Sequence, residues 1–495
     1  MKRLIPIILV FAYAIFVFHG FGSAFPPGLN HDGAQHGLFA LRILNGESLG
    51  IYTPEAFGHE TGFYYVMAAV FRLLGATKET LELTATIFGA LSVGLFYWIL
   101  KRKTQNAWFA LALSLLWISS SALVLYSRVG WQLITLVPAA LWVAASCRFY
   151  FDNPDRARFW ALQIGLSAGA TLYTYNGGRA ILAFVPLFWI FRLIQTRFER
   201  KVCLNAALSL AVFAVVCAPM LFYAANHPQE WNGRASALLG QTGGLAGKWA
   251  NLSGALGYFN FSAQGDDFFT NFPVLEGPML ILWASGIGFA LFRFRNYWPE
   301  LLLFAVFLLP SIATKPSFHR AIGTLPIVFL LACYFLIAAL RKLPKRAFQP
   351  VLAILVALQI GAGWKKLYID AQPFAWGFYP ETTVVGRYLG AHSDQNFTLY
   401  AGNWPQDALY FLSQKDFRPG ANFTHYQGYN SPSGDGLPEI LLALSQNSIA
   451  RPARFIVDEA KADAFLSATK PLYSVENEGE LKRNDVVVAR VFKVK

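Results

Sequence analysis

Charge is scarce in this sequence: Asp, Glu, Lys and Arg make up 14% of its 495 residues, against about a quarter in a typical soluble domain. A chain so poor in ionic side chains cannot cover most of its length with a solvated exterior, which sets it apart from ordinary soluble proteins. Cysteine is scarce as well. Cys147, Cys203, Cys217 and Cys333 lie in or beside apolar runs, with no Cys-x-x-Cys and no Cys/His ligand spacing. They read as core thiols.

What the chain does hold is apolar and aromatic. Hydrophobic residues make up 55% of it and aromatics 16%, with 44 Phe, 21 Tyr and 14 Trp, and the mean hydropathy is +0.40. That composition suits lipid-facing and interfacial surfaces. The net charge of +13 raises the question of nucleic acid, but the basic residues fall in short clusters between apolar runs and form no continuous stripe. Membrane topology explains them, and no nucleic-acid partner is expected.

Eleven apolar runs read as membrane spans: 4–21, 81–100, 107–126, 132–150, 159–175, 178–194, 202–222, 276–294, 299–314, 320–340 and 348–364. The first follows Met1-Lys2-Arg3 and could be a signal peptide, but it lacks a small-x-small cleavage site. It is taken as an anchor. Alternate connections are basic: Lys101-Arg102-Lys103, Arg148 with Arg156 and Arg158, 192–201, Arg293 with Arg295, and 341–346. By the positive-inside rule these face the cytoplasm. An odd number of spans then puts the C-terminus outside.

The other connections carry the polar chemistry, and loops 22–80 and 223–275 are long. Segments 35–44 and 61–74 read as amphipathic helices able to lie along the interface. The expected division is therefore a transmembrane domain, 1–365, and a small soluble α/β domain, 366–495. In the latter, apolar segments at Phe397-Thr-Leu-Tyr, Arg454-Phe-Ile-Val and 486–494 alternate with helical stretches.

Asn30-His31-Asp32-Gly33-Ala34-Gln35-His36 lies just outside the first span. An acid there sits at the membrane surface; Asp32 could equally cap the helix that follows. Gly58-His59-Glu60-Thr61-Gly62 closes the same loop before a Tyr-Tyr helix. Carboxylate and imidazole suit a divalent ion, so Asp32, His59 and Glu60 are candidate metal ligands, although their spacing matches no compact motif. Arg128, Arg179 and Arg320 stand at outer helix ends against the positive-inside bias. Each calls for a partner or a ligand, and a phosphate at the bilayer surface would fit a guanidinium. Asp266 and Asp267 end the second long loop, where they could bind a metal or sugar hydroxyls or form a solvated turn.

Taken in order, the outer Asp32, the polar cluster before Tyr64-Tyr65, Tyr126-Ser127-Arg128, Tyr173-Thr-Tyr175 with Arg179, Gly265-Asp266-Asp267 with Asn271-Phe-Pro273, and His319-Arg320-Ala-Ile-Gly-Thr-Leu-Pro form a pattern over residues 1–345. It resembles the bacterial polyprenyl-phosphate-sugar-dependent glycosyltransferases of glycosyltransferase family 39, related to protein O-mannosyltransferases and lipid A aminoarabinose transferases. The resemblance implies a mainly α, polytopic helix bundle of the C-type glycosyltransferase fold. It also implies Asp32 as the catalytic acidic residue and a polyprenyl-phosphate sugar donor, whose phosphate the outer Arg128, Arg179 and Arg320 would suit as binding residues. His31, His59, Glu60, Tyr175, Asp266, Asp267 and His319 are then substrate-binding candidates. The acceptor would be a glycolipid, a glycan or a protein outside the bacterial inner membrane.

No Gly-rich nucleotide-binding βαβ unit is apparent, which fits a lipid-linked donor. Relatives often carry Asp-Glu where this chain has Asp32-Gly33, and a His/Lys-Pro-Pro-Leu-like element where it has His59-Glu60-Thr61-Gly62. These departures leave the sugar and the acceptor open. The rival from another class is a transporter or flippase of a lipid-linked sugar, which would place its polar groups at mid-membrane. Here they concentrate at one face. A non-catalytic scaffold is a third reading, and it leaves Asp32 and the outer arginines without a role.

Overall fold

The computed structural model describes residues 4–20, 26–239, 244–261, 272–314, 316–371, 378–401, 404–413, 423–427, 436–446, 448–449, 451–483 and 485–495. The chain opens with α1 (Ile5–Phe18), then α2 (His31–Leu44), a two-stranded ribbon of β1 (Tyr52–Thr53) and β2 (His59–Glu60), and α3 (Gly62–Leu74). The bundle continues through α4 (Lys78–Thr104), α5 (Ala107–Ile118), α6 (Ser121–Tyr126), α7 (Leu136–Asp152), α8 (Ala157–Thr171), α9 (Ile181–Gln195) and α10 (Arg200–Asn226). After α11 (Pro228–Leu239) and α12 (Gly244–Gly257) come α13 (Met279–Phe292), α14 (Phe294–Ala313), α15 (Thr324–Leu340) and α16 (Lys345–Lys365).

Six helical stretches among the described residues are long and apolar enough to cross a membrane: Lys78–Thr104, Gln132–Asp152, Asn176–Gln195, Arg200–Asn226, Phe294–Ala313 and Arg346–Asp370. The other predicted spans are helices shorter than the roughly 20 residues of a straight crossing. The second to be expected there, 107–126, is two helices with a break at Ser119-Ser120. The stretch Gln132–Asp152 is 94% buried over its most apolar window, against 22% for Arg346–Asp370. The first is therefore central, and the second is peripheral and turns its apolar side outward. Helices α8 and α10 approach closely because Gly165 and Gly169, one turn apart, face Ser209 and Val216, where added Cβ atoms would lie 2.2 Å and 2.7 Å from protein atoms.

Polar groups inside the bundle are matched in place. Glu276, from the start of the predicted span 276–294, fills the break between α5 and α6. Its carboxylate accepts from the Ser121 amide at 3.0 Å and hydroxyl at 2.7 Å, from Gln359 at 2.9 Å, and from the Lys366 ammonium at 3.2 Å. It thus satisfies the N-terminus of α6, which would otherwise point unpaired donors into the bundle. Arg148, expected in a cytoplasmic connection, is instead buried on α7 and paired with Glu300 of α14 at 2.6 Å. Cys147, Cys217 and Cys333 are buried as expected, whereas Cys203 is half-buried.

Helix α16 runs on as a π-helical turn, Lys366–Asp370, into the region that follows. There α17 (Pro380–Ala391), α18 (Gln406–Ser413), α19 (Leu437–Ser445) and α20 (Ala462–Thr469) accompany β3 (Phe397–Ala401), β4 (Phe423–Gln427), β5 (Ala453–Asp458), β6 (Val475–Arg483) and β7 (Val486–Val494). The sheet order is β4-β3-β5-β7-β6, parallel among β4, β3 and β5 and antiparallel beyond. The apolar runs foretold β3, β5 and β7. Strand β6 escaped because its sequence, Val-Glu-Asn-Glu-Gly-Glu-Leu-Lys-Arg, is that of an exposed edge, defended by charge and paired outward, as Glu478 is with Arg454 at 2.9 Å.

Replacing Glu276 by Ala should strip the α6 cap and strand the Lys366 ammonium, lowering unfolding free energy in detergent by about 3–5 kcal/mol. Glu276→Gln, which retains acceptor and size, should cost clearly less in the same denaturation measurement.

Candidate functional site

Asn30 starts α2: its side chain accepts the Asp32 amide at 2.9 Å, so Asn30, not Asp32, caps the helix. Asp32 lines a pocket. His36, His59, Trp131, Gln132, Leu133, Tyr175 and His319 form the remaining wall, around about 300 Å³ of empty space including the open mouth. These residues come from α2, from the ribbon, and from the connections before α7, α9 and α15. All belong to the set of connections opposite the basic ones. Four candidates from the sequence, Asp32, His59, Tyr175 and His319, therefore share one cavity.

Gln132 builds the floor. Its Nε2 donates to the carbonyls of Glu60 at 2.6 Å and Thr174 at 2.8 Å, which fixes the amide orientation, and its Oε1 receives the Tyr64 hydroxyl at 3.2 Å. His59 Nδ1 lies 3.2 Å from the same Oε1, and its Nε2 lies 3.1 Å from the Ala56 carbonyl. Both ring nitrogens of His59 thus lie against protein oxygens. His36 Nδ1 is 3.4 Å from both the Gly130 carbonyl and the Gln132 amide, and its ring packs 5.5 Å from His59. His319 Nδ1 is held by the Ser317 hydroxyl at 2.7 Å, with Trp131 edge-on at 5.8 Å.

Trp131, Gln132 and Leu133 were not anticipated from the sequence. The available signal was a Gly-Trp-Gln interruption between two apolar runs, where Gly130 adopts a φ of +71°. Gly33 has a steric reason: a Cβ there would meet the Val129 carbonyl oxygen at 2.8 Å. A longer side chain at that position does not fit this packing.

The three arginines have different partners. Arg128 is fully buried, donating to the carbonyls of His19 at 3.1 Å and Gly20 at 3.3 Å and to the Tyr368 hydroxyl at 3.0 Å. It satisfies the C-terminal end of α1, where unpaired carbonyls favour a cation, and does not line the pocket. Arg179 bonds Glu60 Oε1 at 3.1 Å and the Trp231 carbonyl at 2.7 Å, with its guanidinium 3.6 Å over the Trp231 ring. Arg320, half-buried on the turn beside His319, donates to Thr314 at 3.0 Å. The turns carrying Arg179 and Arg320 touch, since a Cβ on Gly177 would lie 2.9 Å from the Arg320 carbonyl.

Glu60 is completely buried on Arg179 and does not line the cavity. With Glu60 engaged there and both His59 nitrogens on protein oxygens, Asp32, His59 and Glu60 do not converge as a ligand set. Among the described residues no group of three or more His, Cys, Asp and Glu side chains could hold a metal ion. Asp266 and Asp267 lie outside the described residues.

His31 turns away from the cavity. Its Nδ1 sits 2.7 Å from Asp407 of α18, tying α2 to the C-terminal region beside Gly37, where a Cβ would fall 2.5 Å from the Phe411 ring. The hydrogen bond to Asp407 holds the His31 imidazole above its ordinary value.

No family model matches the sequence, and no curated protein matches it. Among solved structures, ArnT from Cupriavidus metallidurans bound to undecaprenyl phosphate is similar over 99% of this chain and 97% of that one, at a TM-score of 0.62 and 13% identity. The apo state of that protein is similar at a TM-score of 0.56 over the same shares. Identity this low speaks for the fold alone, the C-type glycosyltransferase fold of a multi-pass membrane protein.

The His31–Asp407 contact makes the docking of α18 depend on pH. Because the imidazole is raised in the docked state, the contact should be at full strength below about pH 6.5 and fade as pH climbs through the raised value. Hydrogen-exchange protection of Gln406–Ser413, corrected for intrinsic exchange rates, should fall across that window, and Asp407→Asn should flatten the fall. Gln132→Leu should remove the amide donor shared by the Glu60 and Thr174 carbonyls, of which Thr174 keeps the Thr135 hydroxyl at 3.1 Å, and should cost about 1–3 kcal/mol in unfolding measurements.

Proposed function

We propose that this protein is a membrane glycosyltransferase that moves a sugar from a polyprenyl-phosphate donor to an extracytoplasmic acceptor with inversion at the anomeric carbon. The observation that carries the reading is the pocket itself: Asp32 at a helix start, faced by His36, His59 and His319 and walled by Trp131 and Tyr175, at one end of an apolar bundle. The likeness in fold to a protein that binds undecaprenyl phosphate supports the donor class.

The acceptor hydroxyl lies against Asp32. As its oxygen attacks the anomeric carbon, Asp32 takes the proton, the bond from that carbon to the donor phosphate oxygen breaks, and the polyprenyl phosphate leaves with the bonding electrons. Negative charge grows on the departing phosphate. Arg320, on the turn beside His319, supplies the compensating field, which is most effective where water is excluded. Arg128 contributes by fixing α1 and not by touching the donor. Trp131 and Tyr175 offer ring faces to the sugar.

Where the acceptor nucleophile is already a phosphate oxygen, as in lipid A modification, there is no proton to remove and Asp32 positions the acceptor. Glycolipid, glycan and protein acceptors all fit a site open at the membrane surface. The basic connections at the opposite end support an orientation with the pocket and the C-terminal sheet outside the inner membrane of a bacterial cell.

Because Asn30 supplies the cap, Asp32→Asn removes charge and basicity while leaving the start of α2 intact. Transfer from a labelled polyprenyl-phosphate donor should drop by a hundredfold or more, the scale of a lost general base, at an unchanged unfolding midpoint. Near-normal transfer by the stable variant would refute a direct role for Asp32.

A further inference from the structure

At the other end of the bundle, where α4 and α7 finish and α14 begins, a second pocket holds about 680 Å³ of empty space including its mouth. It is lined by Lys103, Arg148, Phe151, Asp152, Arg295, Asn296 and Tyr297. Helix α4, whose first turns support the floor of the Asp32 pocket, spans 27 residues. At 1.5 Å per residue the two pockets are about 40 Å apart. Nothing in the transfer reaction uses this one.

Its cations are built in. Arg148 is clamped from behind by Glu300, at 2.9 Å from Nε and 2.6 Å from Nη2, and by the Asn296 carbonyl at 2.9 Å. Its guanidinium lies 4.9 Å over the Tyr297 ring and 5.6 Å over that of Tyr334. Among the described residues its Nη1 has no acceptor, so one edge of a rigidly held guanidinium faces the cavity. Lys103 has no carboxylate within ion-pair distance among the described residues; its ammonium rests 5.8 Å and 5.7 Å over the same two rings. Arg295 is exposed at the rim, and it too has no ion-pair partner among the described residues.

Three cations thus face a cavity in which Asp152 is the lone acidic residue lining it. Even with the buried Glu300 counted against Arg148, a net positive charge remains. Such charges at the end of apolar helices, partly shielded by aromatic walls, are costly to leave without an anion. A guanidinium edge beside an ammonium is suited to a phosphate, with directed hydrogen bonds from one and a point charge from the other.

We propose that this pocket binds a phosphate group at the bilayer surface opposite the Asp32 pocket, presented by the headgroup of an anionic phospholipid or taken up as free phosphate. The depth favours a headgroup, because helix ends lie at the level where lipid phosphates sit.

The test is native mass spectrometry of the full chain in neutral detergent, titrated separately with phosphatidylglycerol, phosphatidylcholine and inorganic phosphate. Wild type should retain phosphatidylglycerol in preference to phosphatidylcholine, and Lys103→Gln with Arg295→Gln should weaken that binding at least tenfold at an unchanged unfolding midpoint. Asp152→Asn, which removes the repelling carboxylate, should strengthen it severalfold, and this holds the idea to account if the double variant folds poorly. Displacement of the lipid by millimolar inorganic phosphate would identify a free-phosphate site, and resistance to it a headgroup site. Equal phosphatidylglycerol binding by wild type and the folded variants, or no preference over phosphatidylcholine and no phosphate uptake, would overturn the proposal. The readout is binding and does not depend on sugar transfer.

Discussion

The buried amide of Gln132 reaches three other pieces of chain, and the pocket keeps its shape because every one of its hydrogen-bonding positions is used. Two carbonyls, from Glu60 and Thr174, occupy the nitrogen; Tyr64 and His59 occupy the oxygen. Such a network has one low-energy arrangement, since flipping the amide would set acceptor against acceptor at two points. Fully satisfied polar networks in a low-dielectric interior rigidify what they join. The ribbon, α3 and the connections before α7 and α9 are locked in register, and with them the side chains facing Asp32.

The same accounting runs through the bundle. Where helices break or end away from water, their free amides and carbonyls need partners, and the chain supplies ionic ones: Glu276 at the start of α6, Arg128 at the end of α1. These charges look functional in a sequence because they are rare in apolar surroundings. Two arginines that the sequence treats as surface groups, Arg128 and Arg148, are in fact buried, the one on carbonyls and a tyrosine, the other on Glu300. Both are long side chains whose fixed planar donors suit several acceptors at once.

The two ends of the bundle differ in kind. One gathers imidazoles, a carboxylate and aromatic faces around a cavity whose helix α2 is tied to the C-terminal region through His31 and packs on Phe411. The other gathers cations over tyrosine rings. Glycine makes the first possible, since Gly33 and Gly37 let α2 press against the Val129 carbonyl on one side and the Phe411 ring on the other.

Composition and hydropathy by themselves determined that the chain is a helical membrane bundle, because each span must satisfy its own backbone in lipid and so writes itself as a continuous apolar run. Sequence order also marked Asp32, His59, Tyr175 and His319, polar residues at one set of helix ends, and these meet in one cavity. What only the tertiary structure decided was which polar residues serve the fold. Glu60 and Arg179 neutralise each other, Arg128 caps a helix, and Asn30 takes the capping role open to Asp32. Trp131 and Gln132 enter the site because a left-handed glycine turns the chain there. Glu60 and Arg179, like Arg128 and Tyr368, lie more than a hundred residues apart, and a hydrogen bond forms between neighbours in space, a relation that local sequence pattern does not encode.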